Sequence, residues 1–184
     1  MKIQQYLLVL LEVLFPYMLN ADITEDIHFS HIGLEEGLSH STIFAINQDK
    51  GGNLWFATYD GVNKYDGYNF TVYRHQYTHP NSIASDISRC ITMDDSDRIW
   101  IGTREGLSLY NHYKDEFSNY YYKRNGLNVA VTSIIPIKKD WLMLGTAEGI
   151  LLFDVKSVSF RIHYPLLCMD CSRQLWYVRM IVSI

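Results

Sequence analysis

Apolar and polar residues alternate in a series of short runs that begins near residue 43. The first four runs are IFAINQD at 43–49, LWFAT at 54–58, VNKYDG at 62–67 and FTVYRH at 70–75. A period of two over such short stretches is typical of strands that have one buried face. Gly, Asp and Asn separate the runs, which indicates tight turns between them. This stretch therefore predicts four strands joined by hairpins.

The same pattern returns twice along the chain. Trp55, Trp100 and Met143 fall in one register, separated by 45 and 43 residues. Each later unit contains four alternating runs of its own, and four short strands repeated about every 44 residues are typical of a β-propeller blade. The predicted fold class is all-β. We expect a partial β-propeller with about three four-stranded blades and an incomplete further blade.

The turn between the second and third strands of each unit ends in a glycine: Gly61, Gly106 and Gly149. A three-residue hairpin loop ends in a left-handed αL residue, which glycine adopts without a Cβ clash, so positive φ is predicted at all three. Trp55 and Trp100 are expected to fill the space between adjacent blades, with Met143 as a flexible replacement. One position of the second strand is always small, which predicts a close approach of neighbouring backbones: Ala57, Gly102 and Gly145.

Composition and charge exclude several classes of function. The 184 residues carry a formal net charge of −4 and no basic block, so a nucleic-acid groove is not expected. The three cysteines, Cys90, Cys168 and Cys171, form no disulfide framework or paired zinc motif, and the seven histidines are scattered. We therefore expect neither a metal nor another cofactor. Cys90 is interpreted as a small core residue within a strand.

The N-terminus has the layout of a secretory signal peptide over residues 1–21. Lys2 precedes an apolar stretch from Tyr6 to Leu19, and the small Ala21 follows as the expected cleavage site. The stretch is shorter than the roughly 20 apolar residues that a membrane span needs. Export is therefore predicted, with blades over 22–164 and a degenerate or truncated blade over 165–184.

The first unit resembles the opening blade of the two-component regulator propeller, the extracytoplasmic sensor region of hybrid histidine kinases. The matching residues are Gly37-Leu38-Ser39, Gln48-Asp49, Leu54-Trp55, Thr58, Asp60-Gly61 and Tyr65-Asp66-Gly67. The second unit, with WIGTREGLSLYN, matches nearly as well, whereas the third lacks the Trp. The resemblance extends over roughly residues 27 to 164.

This resemblance implies a periplasmic sensor segment that is not an enzyme and that responds to an oligosaccharide. The intact protein would be a homodimer and would add further blades, a β-sandwich, a membrane helix, a kinase, a receiver and a DNA-binding module. No later module is recognisable in this sequence. We therefore expect a fragment whose partner is the missing remainder of the sensor chain, and no nucleic acid is expected on this segment.

Ligands of propellers bind at the face where the second-to-third turns and the connections between blades gather. Aromatic, amide and charged groups at those turns would suit a sugar or a uronic acid, because Tyr stacks on apolar ring faces and Arg can bind a carboxylate with two hydrogen bonds. The candidate ligand-binding residues are Tyr59, Asp60, Arg104, Glu105, Lys123, Arg124 and Glu148. Each is also compatible with an ordinary solvated loop residue.

Two other functions are also compatible with the sequence. A propeller lyase or glycosidase would need a carboxylate pair or a Tyr/His base that converges on the axis, and Asp60 and Glu105 are available for that role. A propeller that binds another protein would need no small-molecule site.

Overall fold

The computed structural model describes residues 29–138 and 140–165. The predicted signal peptide and the tail beyond Pro165 lie outside these residues. The chain divides into a unit Met1–His31 and a unit Ile32–Ile184, and every described strand belongs to the second. No helix occurs among the described residues, so none there could cross a membrane.

Three four-stranded antiparallel sheets follow one another, each with its strands in chain order. Blade 1 consists of β1 (Ile43–Gln48), β2 (Leu54–Thr58), β3 (Val62–Tyr65) and β4 (Phe70–Tyr73). Blade 2 consists of β5 (Ser88–Met93), β6 (Ile99–Thr103), β7 (Gly106–Asn111) and β8 (Glu116–Tyr120). A short hairpin of β9 (Lys123–Arg124) and β10 (Leu127–Asn128) leads to blade 3. Blade 3 consists of β11 (Val131–Lys138), β12 (Trp141–Thr146), β13 (Gly149–Asp154) and β14 (Ser159–Pro165). The predicted all-β propeller architecture is confirmed for three blades.

The first strand of every blade carries the same irregularity. The register between the first and second strands shifts at one residue near the start of β1, β5 and β11. In blade 2 the shift leaves Cys90 opposite Gly102, where a Cβ would overlap the Cys90 sulfur and lie 2.9 Å from the Val131 carbonyl oxygen of blade 3. The predicted close approach of backbones at this small position is confirmed here.

Cys90 lies in β5 and packs against the core between blades 2 and 3, as predicted. Burial raises the pKa of its thiol to about 12. The thiol therefore stays protonated at physiological pH, which makes it a poor nucleophile.

Two apolar clusters join the blades. The first brings Trp55 of blade 1 against Ile91, Ile101 and Phe117 of blade 2, and the Trp55 ring lies 4.7 Å edge-on from that of Tyr110. The second brings Trp100 of blade 2 against side chains of blade 3: Val131, Ile134, Leu142, Leu144, Leu151 and Phe153. The predicted position of both tryptophans between adjacent blades is confirmed, and Met143 is buried as well.

The indole N–H of each interblade tryptophan binds an aspartate in the preceding turn. Trp55 Nε1 donates to Asp49 Oδ2 at 2.9 Å, and Trp100 Nε1 donates to Asp94 Oδ2 at 2.8 Å. We call these two contacts the Trp–Asp bonds. Asp94 also accepts hydrogen bonds from Ser96 and Arg98. Each of these aspartates therefore satisfies a buried donor of the core.

The turn glycines have positive φ, as predicted, but not for the predicted reason. The φ values of Gly61, Gly106 and Gly149 are 93°, 150° and 129°, well beyond the αL region. In blades 2 and 3 the turn has two residues, because Thr103 pairs directly with Gly106 and Thr146 with Gly149. The expected three-residue loop with an αL glycine is therefore wrong in these two blades.

The outer strand explains why a glycine is still required. A Cβ at Gly61 would overlap the carbonyl oxygen of Tyr73, and one at Gly106 would lie 2.6 Å from that of Tyr120. The glycine lets the end of the fourth strand approach the turn between the second and third.

We expect Gly61→Ala to lower the free energy of unfolding by about 1 kcal/mol more than Gly52→Ala does. The two glycines have similar φ values, 93° and 86°, but a Cβ at Gly52 meets nothing within 4 Å. The difference between the variants isolates the clash with the outer strand. Urea unfolding of both variants measures it, and equal destabilisation would contradict this account.

The Trp–Asp bonds predict loss of stability in acid. Burial alone would raise the pKa of Asp94, but hydrogen bonds from Trp100 and Arg98 outweigh it, so the pKa lies below its usual value. A carboxylate with a lowered folded-state pKa stabilises the fold above its unfolded value of about 3.9, and this contribution disappears as the pH falls through the folded-state pKa. Asp94→Asn should lower the free energy of unfolding by about 1–3 kcal/mol at pH 7. The free energy of unfolding of this variant should also change less as the pH falls.

Asp97→Asn is the matched control, because it removes the same charge from an exposed position of the same turn. Its ion pair with Lys50 is exposed, so the expected change is below about 1 kcal/mol. Urea unfolding between pH 3 and pH 7 compares the variants. If Asp94→Asn and Asp97→Asn lowered the free energy of unfolding equally, the hydrogen bond from Trp100 to Asp94 would not be the source of the acid-sensitive stability.

Candidate ligand-binding face

One end of the blades gathers the segments that carry the predicted site. Because the strands of each sheet are antiparallel and in chain order, the second-to-third turns and the connections to the next blade leave from the same end. We call this end the upper face. It comprises the turns after β2, β6 and β12 and the connecting segments 74–87 and 121–130.

A threonine fixes each of the three turns in the same way. The hydroxyls of Thr58, Thr103 and Thr146 donate to the carbonyl oxygens of Gly61, Gly106 and Gly149 at 2.9, 3.0 and 2.8 Å. The same hydroxyls accept hydrogen bonds from the backbone N–H two residues further on, at Asp60, Glu105 and Glu148. All three threonines are buried. The same two hydrogen bonds to threonine therefore fix the backbone of each turn that carries a candidate carboxylate.

In blade 1, the predicted residues Tyr59 and Asp60 lie side by side on the upper face. The Tyr59 ring is half exposed and tilted 5.6 Å from the ring of His40. Asp60 is bound by the Arg74 guanidinium through two hydrogen bonds, of 3.1 and 2.9 Å. That contact holds the pKa of the Asp60 carboxyl below its usual value.

In blade 2, Arg104 and Glu105 have different surroundings. The Arg104 side chain is exposed and makes no hydrogen bond or ion pair with another described residue, while its backbone N–H donates to the Ile87 carbonyl oxygen at 2.9 Å. Glu105 is partly buried, and its Oε2 accepts a 3.0 Å hydrogen bond from the side-chain amide of Asn128.

In blade 3, the structure brings two of the predicted residues together. Arg124, in β9, forms an ion pair of 2.5 Å with Glu148 in the turn after β12. Both line a shallow cleft of about 240 Å³ together with Asn125, Leu127 and Ala147. Lys123 precedes this pair in the same short strand, and its exposed side chain makes no ion pair within the described part of the chain.

The three carboxylates thus share one arrangement. Each is held by a side chain from a connecting segment: Asp60 by Arg74, Glu105 by Asn128 and Glu148 by Arg124. The sequence reasoning missed Arg74, Asn128 and His40. Arg74 and Asn128 could have been suspected from the sequence, because each is a polar residue in the segment that follows the fourth strand of a blade. Only the path of that segment in the structure shows which turn the side chain reaches.

The arrangement leaves an aromatic ring and two cations directed to solvent, at Tyr59, Arg104 and Lys123. No group of three or more His, Cys, Asp or Glu side chains suited to a metal ion occurs among residues 29–138 and 140–165. Chemically, the upper face can stack on an apolar ring and bind an anion, while its carboxylates are engaged with the protein itself.

Comparison with known proteins identifies the repeat. The family model described as the two component regulator propeller matches residues 37–60 and residues 82–105. Each match covers the segment before a blade, the first two strands and the start of the following turn. The resemblance inferred from the sequence is thereby confirmed for blades 1 and 2.

A curated relative and solved structures show the same similarity. Histidine kinase P4 of Formosa agariphila is 47% identical over 49 residues, which is 27% of this chain and 4% of that protein. The extracellular domain of the hybrid two component system BT3049 from B. thetaiotaomicron has a TM-score of 0.66 and 33% identity, covering 74% of this chain and 20% of its own. The extracellular domain of BT4673 from the same organism, at 19% identity and a TM-score of 0.61 over 73% of this chain, shows the shared fold.

The chain thus spans a small part of its relatives: about a fifth of the solved extracellular domains and 4% of the curated kinase. Within the matched part of the chain, the family model, the sequence identity and the blade geometry all indicate the same kind of repeat. Residues 37–60 and 82–105, in the first two blades of this chain, match the two-component regulator propeller repeat.

Proposed function

We propose that this chain is a ligand-sensing propeller segment of an extracytoplasmic two-component sensor, that its ligand is an oligosaccharide, and that the segment itself is not catalytic. The observation that carries the proposal is the agreement of three blades with the extracellular domain of a hybrid two component system, at 33% identity and a TM-score of 0.66. That protein's extracellular location supports an exported, periplasmic position for this segment.

The chemistry of the upper face supports a saccharide with a carboxylate group. The half-exposed ring of Tyr59 can pack on the apolar face of a sugar ring. Arg104 and Lys123 present positive charges that are not neutralised by another described residue, and a guanidinium can bind a uronic acid carboxylate with two parallel hydrogen bonds.

The state of the carboxylates supports binding over catalysis. A glycosidase needs one carboxyl group whose pKa is raised, so that it can donate a proton near neutral pH. Asp60 is the opposite case, because its hydrogen bonds from Arg74 lower its pKa. Glu105 and Glu148 are likewise engaged, with Asn128 and Arg124.

In the whole protein, this segment would be joined to the remainder of the sensor, and the sensor would form a homodimer that carries the signal across the membrane. The chain's own part would be recognition. Its three blades hold part of the ring of turns that would surround the ligand, so contributions from further blades are expected to raise the affinity.

Isothermal titration calorimetry of the purified chain against neutral and uronate-containing oligosaccharides tests the proposal. The uronate-containing members should bind more tightly, and Arg104→Gln should weaken them by about tenfold, which corresponds to 1.4 kcal/mol. A smaller loss is expected for Lys123→Gln, because an ammonium group binds a carboxylate as a point charge.

Lys138→Gln is the matched control, since it removes one exposed positive charge at the opposite end of blade 3. It should leave the affinity unchanged. Binding that is insensitive to Arg104 and Lys123 would show that the upper face is not the site, and the absence of any binding across the panel would contradict the proposed ligand class.

A further inference from the structure

The end of the blades opposite the upper face contains a larger cleft. We call this end the lower face; it consists of the first-to-second and third-to-fourth turns of each blade. The cleft has a volume of about 530 Å³, within the range of roughly 300–1,000 Å³ that is usual for small-molecule sites. It lies between blades 1 and 2, and its walls include Asp49, Lys50, Asp97, Tyr110, Tyr113 and Ser118.

Tyr113 places a large aromatic ring in solvent at this cleft. Its side chain is 98% exposed in the turn between β7 and β8. The turn is held by Asn111, whose side-chain oxygen accepts from the Tyr113 N–H at 3.0 Å and from the Lys114 N–H at 3.3 Å. An aromatic ring that is fully exposed on an ordered turn contributes nothing to the core. It is, however, well placed to stack on a ligand.

The charged side chains that line the cleft are already engaged by other groups of the protein. Lys50 and Asp97 form an ion pair of 2.7 Å. Asp49 accepts hydrogen bonds from Trp55 and Asn53, and Arg98 donates to Asp94. A ligand with a net charge would therefore have to displace an existing pair, so the cleft favours a neutral molecule.

The remaining polar groups suit hydroxyls. The side chains of Ser96, Asn111 and Ser118 line the cleft with two hydroxyl groups and an amide. Each hydroxyl can donate and accept, and the amide nitrogen of Asn111 is a donor, so together they match a ligand rich in hydroxyl groups. Apolar surface is supplied by Met93, Ile99 and Leu109.

We propose that the lower cleft between blades 1 and 2 binds a neutral saccharide, with the ring of Tyr113 stacked on a sugar face and the cleft's hydroxyl and amide groups bound to sugar hydroxyls. This site is separate from the upper face and differs from it in ligand charge. It would stand even if the upper face bound nothing.

Blade 1 offers a matched control for Tyr113. Tyr68 occupies the equivalent turn between β3 and β4, is 89% exposed, and sits in a turn held in the same way by Asp66, whose carboxylate accepts from the Tyr68 N–H at 2.8 Å. Tyr68 does not line the cleft. Because both rings are exposed, neither substitution should disturb folding, which thermal melting of each variant verifies.

The test is titration of the purified full chain with maltose, cellobiose, lactose and N,N′-diacetylchitobiose, using the wild-type protein, Tyr113→Ala, Tyr68→Ala and Arg104→Gln. At least one of these neutral disaccharides should bind, Tyr113→Ala should weaken that binding about tenfold or more, and the other two variants should stay within about twofold of the wild type.

Three results would overturn the inference: no binding by the wild-type chain at 10 mM disaccharide, equal losses in Tyr113→Ala and Tyr68→Ala, or a loss in Arg104→Gln alone. The last of these would place the sugar on the upper face and would leave the proposed sensor function intact. Conversely, loss of uronate binding to the upper face would not affect the result at the lower cleft.

Discussion

The hydrogen bond between an interblade tryptophan and the aspartate six residues before it is the contact on which this architecture depends. A propeller blade buries its large side chains only against its neighbours, so the space between blades must be filled. Trp55 and Trp100 fill it with the largest available side chain, but each brings one N–H that would otherwise be buried without an acceptor. An unsatisfied buried donor costs about 1–3 kcal/mol, and Asp49 and Asp94 remove that cost.

Blade 3 shows that the tryptophan and its turn change together. Met143 stands in the place of the tryptophan and has no N–H to satisfy. The turn before it is correspondingly short, since β11 ends at Lys138 and β12 begins at Trp141, whereas β1 ends at Gln48 and β2 begins at Leu54. Because blade 3 has no indole N–H at this position, it does not need the longer turn that supplies an aspartate as acceptor.

Much of the fold could be predicted because its main determinants are periodic. Alternation identified the strands, and the register of Trp55, Trp100 and Met143 identified the blades, since both patterns depend only on which residues face the core. The error at the turn glycines has a non-local cause: the carbonyl of the fourth strand, 12 or more residues away, sets the conformation at Gly61 and Gly106.

The candidate sites were less predictable because they, too, depend on contacts between residues that are distant in sequence. That Arg104 and Lys123 would be exposed could be anticipated from their turn positions. The partners of the carboxylates could not, because Asn128 reaches Glu105 across 23 residues and a whole outer strand. The lower cleft was missed altogether, since its wall residues come from three turns whose Asp, Asn and Gly content is that of any turn.

The lower cleft and the Trp–Asp bond meet at Asp49, and this gives a ligand in the cleft a physical route to the rest of the blade stack. Asp49 lines the cleft and accepts the indole N–H of Trp55, while Tyr110, which also lines the cleft, packs against the same indole ring. A saccharide bound there would contact both blades on either side of their shared core. Because it would bind only when the two blades are packed, it would stabilise that packing by RT ln(1 + [L]/Kd), about 2.7 kcal/mol at a ligand concentration of 100 Kd. A free energy of this size is comparable to the cost of breaking one Trp–Asp bond. Ligand binding and the packing of blades 1 and 2 would then be thermodynamically coupled. A sensor of the proposed kind needs such coupling in order to convert binding into a change of its own structure.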